Sequence, residues 1–153
     1  MRNTKKRLYI AYGSNLNLGQ MALRCPTAKV VGAARLENRR LLFRGGNIGA
    51  VATVEHFAGG FVPVLVWELQ PRDEAALDRY EGWPQLYRKE TARIRLCGKN
   101  VLAMLYVMNE GGNPCGLPSR GYLDTIREGY ISAGFDLSVL RRAMLDSAAE
   151  MRT

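Results

Sequence analysis

The chain has 153 residues, of which 47% are hydrophobic and 24% charged, as in an ordinary globular protein of one domain. Its longest apolar block, residues 101–108, is far shorter than the roughly 20 residues that cross a bilayer. The apolar run after the basic N-terminus, residues 8–12, is too short for a signal peptide. We therefore expect one domain over residues 1–153, located in the cytoplasm, with no membrane partner.

The cysteines and the single histidine argue against two kinds of site. Cys25, Cys97 and Cys115 are odd in number, widely spaced and in no C-x-x-C pair, which predicts reduced thiols. With His56 as the only histidine, a zinc site would lack ligands. We expect no metal.

Seven segments rich in β-branched or alternating apolar residues predict strands, in chain order at residues 7–12, 29–37, 39–44, 50–54, 61–69, 87–96 and 100–109. The fourth and fifth are expected to form a hairpin around Gly59-Gly60. Residues 16–24 predict a short helix or turn. Six or seven strands favour a closed or strongly curled sheet.

Three helices are predicted between and after these strands. Residues 71–82 begin with proline, carry acidic residues in the first turn and end at a glycine. Residues 119–133 end at Gly134, and residues 137–150 follow Asp136 as N-cap. Strands that come mostly before helices predict an α+β fold rather than a βαβ array.

The segment YIAYGSNL breaks abruptly from apolar residues into Gly13-Ser14-Asn15. A glycine permits a tight bend, after which successive N–H groups can converge and bind a carboxylate or phosphate. A plain strand-to-helix turn with Ser14 or Asn15 as N-cap accounts for the same residues. The segment alone leaves both interpretations open.

A second segment, LDRYEGWPQLY, places a carboxylate on an apolar helix face. Leu77, Tyr80 and Glu81 share one face of the helix predicted at residues 71–82, and the first two mark it as inward-facing. Burial and the C-terminal end of the helix dipole both raise the pKa of such a carboxyl group. A raised pKa suits a general base that works near neutrality.

Other interpretations of the same residues exist. Asp78 and Arg79 are expected to face solvent, and Glu81 could be paired with Arg79 or Arg88 instead of serving catalysis. Motifs for other kinds of catalysis or for nucleotide binding are incomplete or absent. Ser14 has no plausible triad with His56, and the chain has no G-x-S-x-G elbow, Walker loop or G-x-G-x-x-G motif.

The segments YIAYGSNL, LDRYEGWPQLY and PSRGYLDTIREGYISAG follow one another in this order over nearly the whole chain. In this they resemble the γ-glutamylcyclotransferase-like (AIG2-like) family. The resemblance implies a small mixed β-barrel of about six or seven strands with peripheral helices and a cavity at one end. One departure is the Trp-Pro of EGWPQLY, where some relatives have smaller or more polar residues.

The resemblance also implies roles for nine residues. A loop holds the glutamyl group through its backbone N–H groups, and here that loop would be Tyr12, Gly13, Ser14, Asn15 and Leu16. Glu81 would be the acid/base, and the pocket tyrosines would be Tyr87, Tyr106 and Tyr122. Each tyrosine could instead be a core aromatic residue whose hydroxyl bonds to backbone.

The implied reaction converts an anionic γ-glutamyl amine or amino acid to 5-oxoproline and a free amine, and it needs no cofactor. The resemblance leaves open a related γ-glutamyl-releasing enzyme in biosynthesis, and also a non-catalytic module that binds glutamyl groups or other anions. An inward Glu81 argues against the module, because a binder of anions gains nothing from a buried carboxylate. We expect a monomer or a homodimer.

The net charge of +8 predicts a preference for anionic small molecules rather than specific binding of nucleic acid. The basic residues lie on five separate segments, with no recognisable nucleic-acid module between them: Arg2, residues 5–7, Arg39-Arg40, Arg93 with Arg95, and Arg141-Arg142.

Fluorescence anisotropy with mixed oligonucleotides should give dissociation constants of roughly 10⁻⁴–10⁻⁶ M, and the binding should weaken steeply as the salt concentration rises. A nanomolar complex with sequence or shape preference would contradict this.

Overall fold

The structure is a computed structural model that describes residues 6–45 and 49–152. Arg2 and Lys5, two of the scattered basic residues, lie outside the described residues. The elements in chain order are β1 (Arg7–Ala11), a 3₁₀ turn (Ser14–Leu16), α1 (Leu18–Arg24), β2 (Lys29–Arg44), β3 (Val51–Leu69), α2 (Pro71–Glu81), β4 (Tyr87–Leu96), β5 (Lys99–Met108), α3 (Arg120–Ala133) and α4 (Leu137–Glu150). The α+β class is confirmed.

The strands form one sheet in the order β2-β3-β1-β5-β4. β1 is antiparallel to β3 and parallel to β5, and the other neighbouring pairs are antiparallel. β1 has only 5 residues, whereas β3 has 19 and β5 has 10. Beyond the end of β1 a side chain joins its two neighbours, because the Met108 N–H donates to the Thr53 hydroxyl over 3.0 Å.

The predicted count of six or seven strands is wrong, since the described residues contain five. Residues 29–37 and 39–44 belong to the single strand β2, and residues 50–54 and 61–69 belong to β3. β2 and β3 pair with each other, so no hairpin turns at Gly59-Gly60. Asn38 and Gly59 have φ of 58° and 83°, and the Gly59 N–H donates to the Asn38 side chain. These irregularities interrupt the strand pattern without reversing the chain.

The sheet is open, so the closed barrel is not confirmed. No backbone pairing joins β2 to β4 within the described part of the chain. The sheet nevertheless curls enough for side chains of its two edges to meet, because Arg39 on β2 and Glu90 on β4 form an ion pair at 3.3 Å. The expectation of a strongly curled sheet agrees with this contact.

The helices follow the capping signals in the sequence. α2 begins with a capping box between Gln70 and Asp73 and ends at Gly82, which has φ of 67°. Asp136 caps α4 by accepting a hydrogen bond from the Ser138 N–H. Residues 16–24 divide into the end of the 3₁₀ turn and α1, which Asn17 caps.

Three further properties concern the described residues as a whole. Within residues 6–45 and 49–152, no helix is both long and apolar enough to span a bilayer. No group of three or more His, Cys, Asp or Glu side chains is arranged there to hold a metal ion. All three cysteines are free thiols, of which only Cys97 is exposed.

Close packing of α3 on the 3₁₀ turn predicts the effect of one glycine substitution. A Cβ at Gly129 would lie 2.7 Å from the Leu16 Cβ and 2.8 Å from its backbone carbon, whereas one at Gly121 on the same helix would meet nothing within 4 Å. Gly129→Ala should lower the free energy of unfolding by about 1–3 kcal/mol in urea titrations. Gly121→Ala is the control and should leave it unchanged or raise it. Equal effects of the two would contradict the packing.

Candidate active site

A small cavity lies where β1 ends. Its lining residues come from β1, the following turn, β3, α2, β4, β5 and α3: Tyr9, Tyr12, Gly13, Ser14, Asn15, Ala52, Glu81, Tyr87, Tyr106 and Tyr122. Its volume is about 20 Å³. This is room for about one water molecule, and the cavity is partly open to its surroundings, so a larger ligand either extends through the opening or moves the surrounding side chains apart.

Eight of the nine residues implied as functional line this cavity. The exception is Leu16, whose fully buried side chain packs against Gly129. The sequence did not single out Tyr9 and Ala52, which also line it. Tyr9 carries a polar hydroxyl between the aliphatic residues Leu8 and Ile10, and such a buried hydroxyl needs a partner, which is the signal in the sequence that could have identified it.

Gly13 has little clearance on the side where a side chain would begin. Its φ of −124° lies outside the left-handed region, and its ψ of −127° lies outside the extended and helical ranges. A Cβ there would lie 3.2 Å from the Ala52 Cβ and 3.7 Å from the Tyr122 hydroxyl. The N–H groups of Gly13, Ser14 and Asn15 donate to no other described residue. The turn therefore keeps free donors beside the cavity.

Glu81 is the last residue of α2 and contributes a carboxyl group to the cavity. Burial raises the pKa of this carboxyl to about 7, and the charge of Arg24 partly offsets the rise. Among the described residues no cation lies within ion-pairing distance of Glu81, and Arg88 pairs with Glu90 instead at 2.8 Å. The interpretation of Glu81 as one half of a surface ion pair is therefore not supported.

Two expectations about α2 are corrected. Asp78 does not face solvent, because its carboxylate accepts a hydrogen bond from the Tyr106 hydroxyl at 2.6 Å and pairs with Lys89 at 2.9 Å. Tyr80 is not buried, since 44% of it is exposed. Its hydroxyl still reaches Ser14 Oγ at 2.9 Å, because the curled sheet brings the turn against the end of the helix.

All five tyrosines of the cavity are hydrogen-bonded to the protein. Three of the hydroxyls are donors, each over 2.6 Å. The Tyr12 hydroxyl donates to the Tyr106 carbonyl, and the Tyr87 hydroxyl donates to the Ala52 carbonyl. The Tyr106 hydroxyl donates to the Asp78 carboxylate. Two accept, at Tyr122 from the Ala52 N–H over 3.0 Å and at Tyr9 from the Asn15 amide over 2.9 Å. The tyrosines are thus both packed aromatic residues and lining residues of the cavity.

A larger cavity of about 330 Å³ carries many charges but is a weaker candidate. Its charged groups neutralise one another, with Arg44 paired to Glu55 at 3.0 Å and Arg39 to Glu90 at 3.3 Å. Burial alone would raise the pKa of Glu90, but hydrogen bonds from Arg88 and Arg39 lower it below its usual value. Glu55 and Glu90 of the larger cavity are held in ion pairs, whereas Glu81 of the smaller cavity has none among the described residues, so we place the candidate site in the smaller cavity.

Comparisons with known proteins agree with the resemblance in the sequence. Residues 9–129 match the family model described as gamma-glutamyl cyclotransferase, AIG2-like. A solved structure of a gamma-glutamyl cyclotransferase is 28% identical with a TM-score of 0.78, and the match covers 91% of this chain and 86% of that one. An uncharacterized protein from Homo sapiens is 29% identical with a TM-score of 0.76 and coverages of 90% and 86%.

Gamma-glutamylcyclotransferase of Bos taurus is 36% identical over 84 residues. This match covers 49% of the present chain and 44% of the bovine protein, so the chain spans less than half the length of this curated relative.

The clearance at Gly13 predicts a graded response to substitution. Gly13→Val should abolish binding of γ-glutamyl compounds in calorimetry, because its branched side chain must enter the space between Ala52 and Tyr122. Gly13→Ala should weaken binding less, and circular dichroism should show that both variants fold. Gly121→Val is the control on exposed backbone. Unchanged affinity in Gly13→Val would show that the anion-binding donors lie elsewhere.

Proposed function

We propose, since the chain belongs to the gamma-glutamyl cyclotransferase, AIG2-like family, that it releases 5-oxoproline from a γ-glutamyl amine or amino acid, with Glu81 as general acid/base. The observation that carries this proposal is the Glu81 carboxyl, which lines the cavity and has no cationic partner within ion-pairing distance among the described residues. Burial raises the pKa of this carboxyl to about 7. A group of this pKa both accepts and returns a proton near neutrality.

The substrate of such a reaction carries its own nucleophile. Its α-amine attacks the γ-carbonyl carbon, a new C–N bond closes a five-membered ring, and the original amide C–N bond breaks. The α-ammonium nitrogen loses two protons on its way to the lactam N–H, one before the attack and one after it. Glu81 takes each proton in turn and passes it to the leaving nitrogen, which departs as an ammonium group, so protons and charge balance over the cycle. The chief task of the protein is to hold amine and carbonyl in contact, which makes use of proximity.

The turn after β1 supplies the complementary charge. The free N–H groups of Gly13, Ser14 and Asn15 are suited to bind the α-carboxylate or the oxyanion that develops on the γ-carbonyl oxygen. The net charge of +8 further favours an anionic substrate. A module that only bound anions would be weakened by a buried carboxyl group, so Glu81 favours turnover.

Replacement of Glu81 tests the proposal directly. Glu81→Gln keeps the shape and removes the proton acceptor, so turnover should fall roughly 10²–10⁴-fold while substrate binding largely survives. In the wild type the rate should rise with pH through about 7, because the base must be deprotonated. The measurement is 5-oxoproline by mass spectrometry over a panel of γ-glutamyl compounds.

The matched control is Glu74→Gln, on the same helix but outside the cavity, which should keep activity close to that of the wild type. Activity of Glu81→Gln within about tenfold of the wild type would refute the assignment.

A further inference from the structure

The directions of the hydrogen bonds divide the tyrosines of the cavity into two groups. A phenol has one proton to donate, and its oxygen can also accept. Tyr12 and Tyr87 face backbone carbonyls, and Tyr106 faces the Asp78 carboxylate. These partners can only accept, so all three phenol protons are already used. Toward a ligand these three hydroxyls offer only lone pairs.

Tyr122 is in the opposite situation. The Ala52 backbone N–H donates to its oxygen over 3.0 Å, and an N–H group cannot accept. The hydroxyl proton of Tyr122 therefore takes no part in the hydrogen bond with Ala52. No other hydrogen bond joins the Tyr122 hydroxyl to the rest of the described chain, so the proton is free for a ligand.

Tyr9 is in the same situation, and Arg24 is the reason. The Asn15 side chain could in principle turn either its oxygen or its nitrogen toward Tyr9. The guanidinium of Arg24 donates to the Asn15 Oδ1 and cannot accept. The Asn15 nitrogen must therefore face Tyr9, whose oxygen accepts at 2.9 Å and whose proton stays free.

Arg24 itself is well held. Its second terminal nitrogen donates to the Gln20 Oε1 over 3.0 Å, and its guanidinium lies 3.5 Å from the centre of the Tyr80 ring. The orientation of the Asn15 amide is thus fixed by a group that stays in place.

We propose that Tyr9 and Tyr122 are catalytic residues whose hydroxyl groups donate hydrogen bonds to the γ-carbonyl oxygen of the substrate as negative charge develops on it. This rests on the proposed cyclotransferase function. Both side chains line a cavity with room for one water molecule, so both border the same occupant. The lone pairs of Tyr12, Tyr87 and Tyr106, together with Glu81, then suit the α-ammonium group.

The two donors stay protonated under working conditions. Burial raises the pKa of both phenols above the usual value. A hydroxyl that keeps its proton remains a donor over the pH range in which Glu81 titrates.

The experiment compares kcat and KM of Tyr9→Phe and Tyr122→Phe with the wild type, with 5-oxoproline as the measured product. Loss of one donor to a developing oxyanion typically lowers kcat roughly 10²–10³-fold, and we expect at least a tenfold loss in each variant with little change in KM. A loss confined to KM, or a change in kcat below about threefold, would overturn the proposal.

Ser147→Ala is the matched control. The Phe43 N–H donates to the buried Ser147 hydroxyl, so this variant leaves a buried backbone N–H without its acceptor, as Tyr122→Phe does at Ala52. Ser147 lies on α4 and does not line the cavity. Its substitution should cost similar stability but leave the kcat of the folded protein unchanged.

Calorimetry with 5-oxoproline separates failure of this inference from failure of the proposed function. If the wild type turns over no γ-glutamyl compound, the function fails, but affinity for the lactam carbonyl still tests the donors. Binding about tenfold weaker in both phenylalanine variants supports the inference. Equal affinities, or no binding by the wild type, would overturn it.

Discussion

The length of β1 is the constraint on which the site depends. A strand of 5 residues separates strands of 19 and 10 residues, so a gap opens between β3 and β5 where β1 stops. The chain turns into this gap at Gly13. In a longer strand, the N–H groups of residues 13–15 would form ladder hydrogen bonds with the neighbouring strands. In the turn they have no acceptor among the described residues. Tyr106 of β5, Tyr87 of β4 and Tyr122 of α3 line the same space, which no strand fills.

Donors and acceptors are separated within this gap. The hydroxyls of Tyr12, Tyr87 and Tyr106 donate their protons in hydrogen bonds to other parts of the protein, so only their lone pairs are available beside the carboxyl of Glu81. The hydroxyls of Tyr9 and Tyr122 accept hydrogen bonds from the protein, so their protons remain available to a ligand. The fixed partners that impose this division are a backbone N–H at Ala52 and the guanidinium of Arg24, neither of which can accept. Preorganised polar groups of this kind need no rearrangement when charge develops on a ligand.

Sequence patterns predicted the helices and the α+β class, because caps and amphipathic spacing act locally. Most of the residues that line the cavity were implied by the resemblance to a known family. They overcounted the strands, since the left-handed backbone at Asn38 and Gly59 resembles a turn until the two strands are seen to pair through it. They also misplaced Asp78, whose partner Tyr106 is 28 residues away. The direction of the hydrogen bond at Tyr122 depends on Ala52, which is 70 residues away. The direction at Tyr9 depends on how the turn and α1 fold back against β1, which spacing in the sequence does not specify.

The small volume of the cavity has a consequence for chemical selectivity. An amide carbonyl held in a polar site can be attacked by water, which would yield glutamate, or by the substrate's own amine, which yields the lactam. Because the cavity has room for about one water molecule, a glutamyl group bound there would leave little space for water beside itself. Under the proposed function, tight packing around the substrate would favour ring closure over hydrolysis.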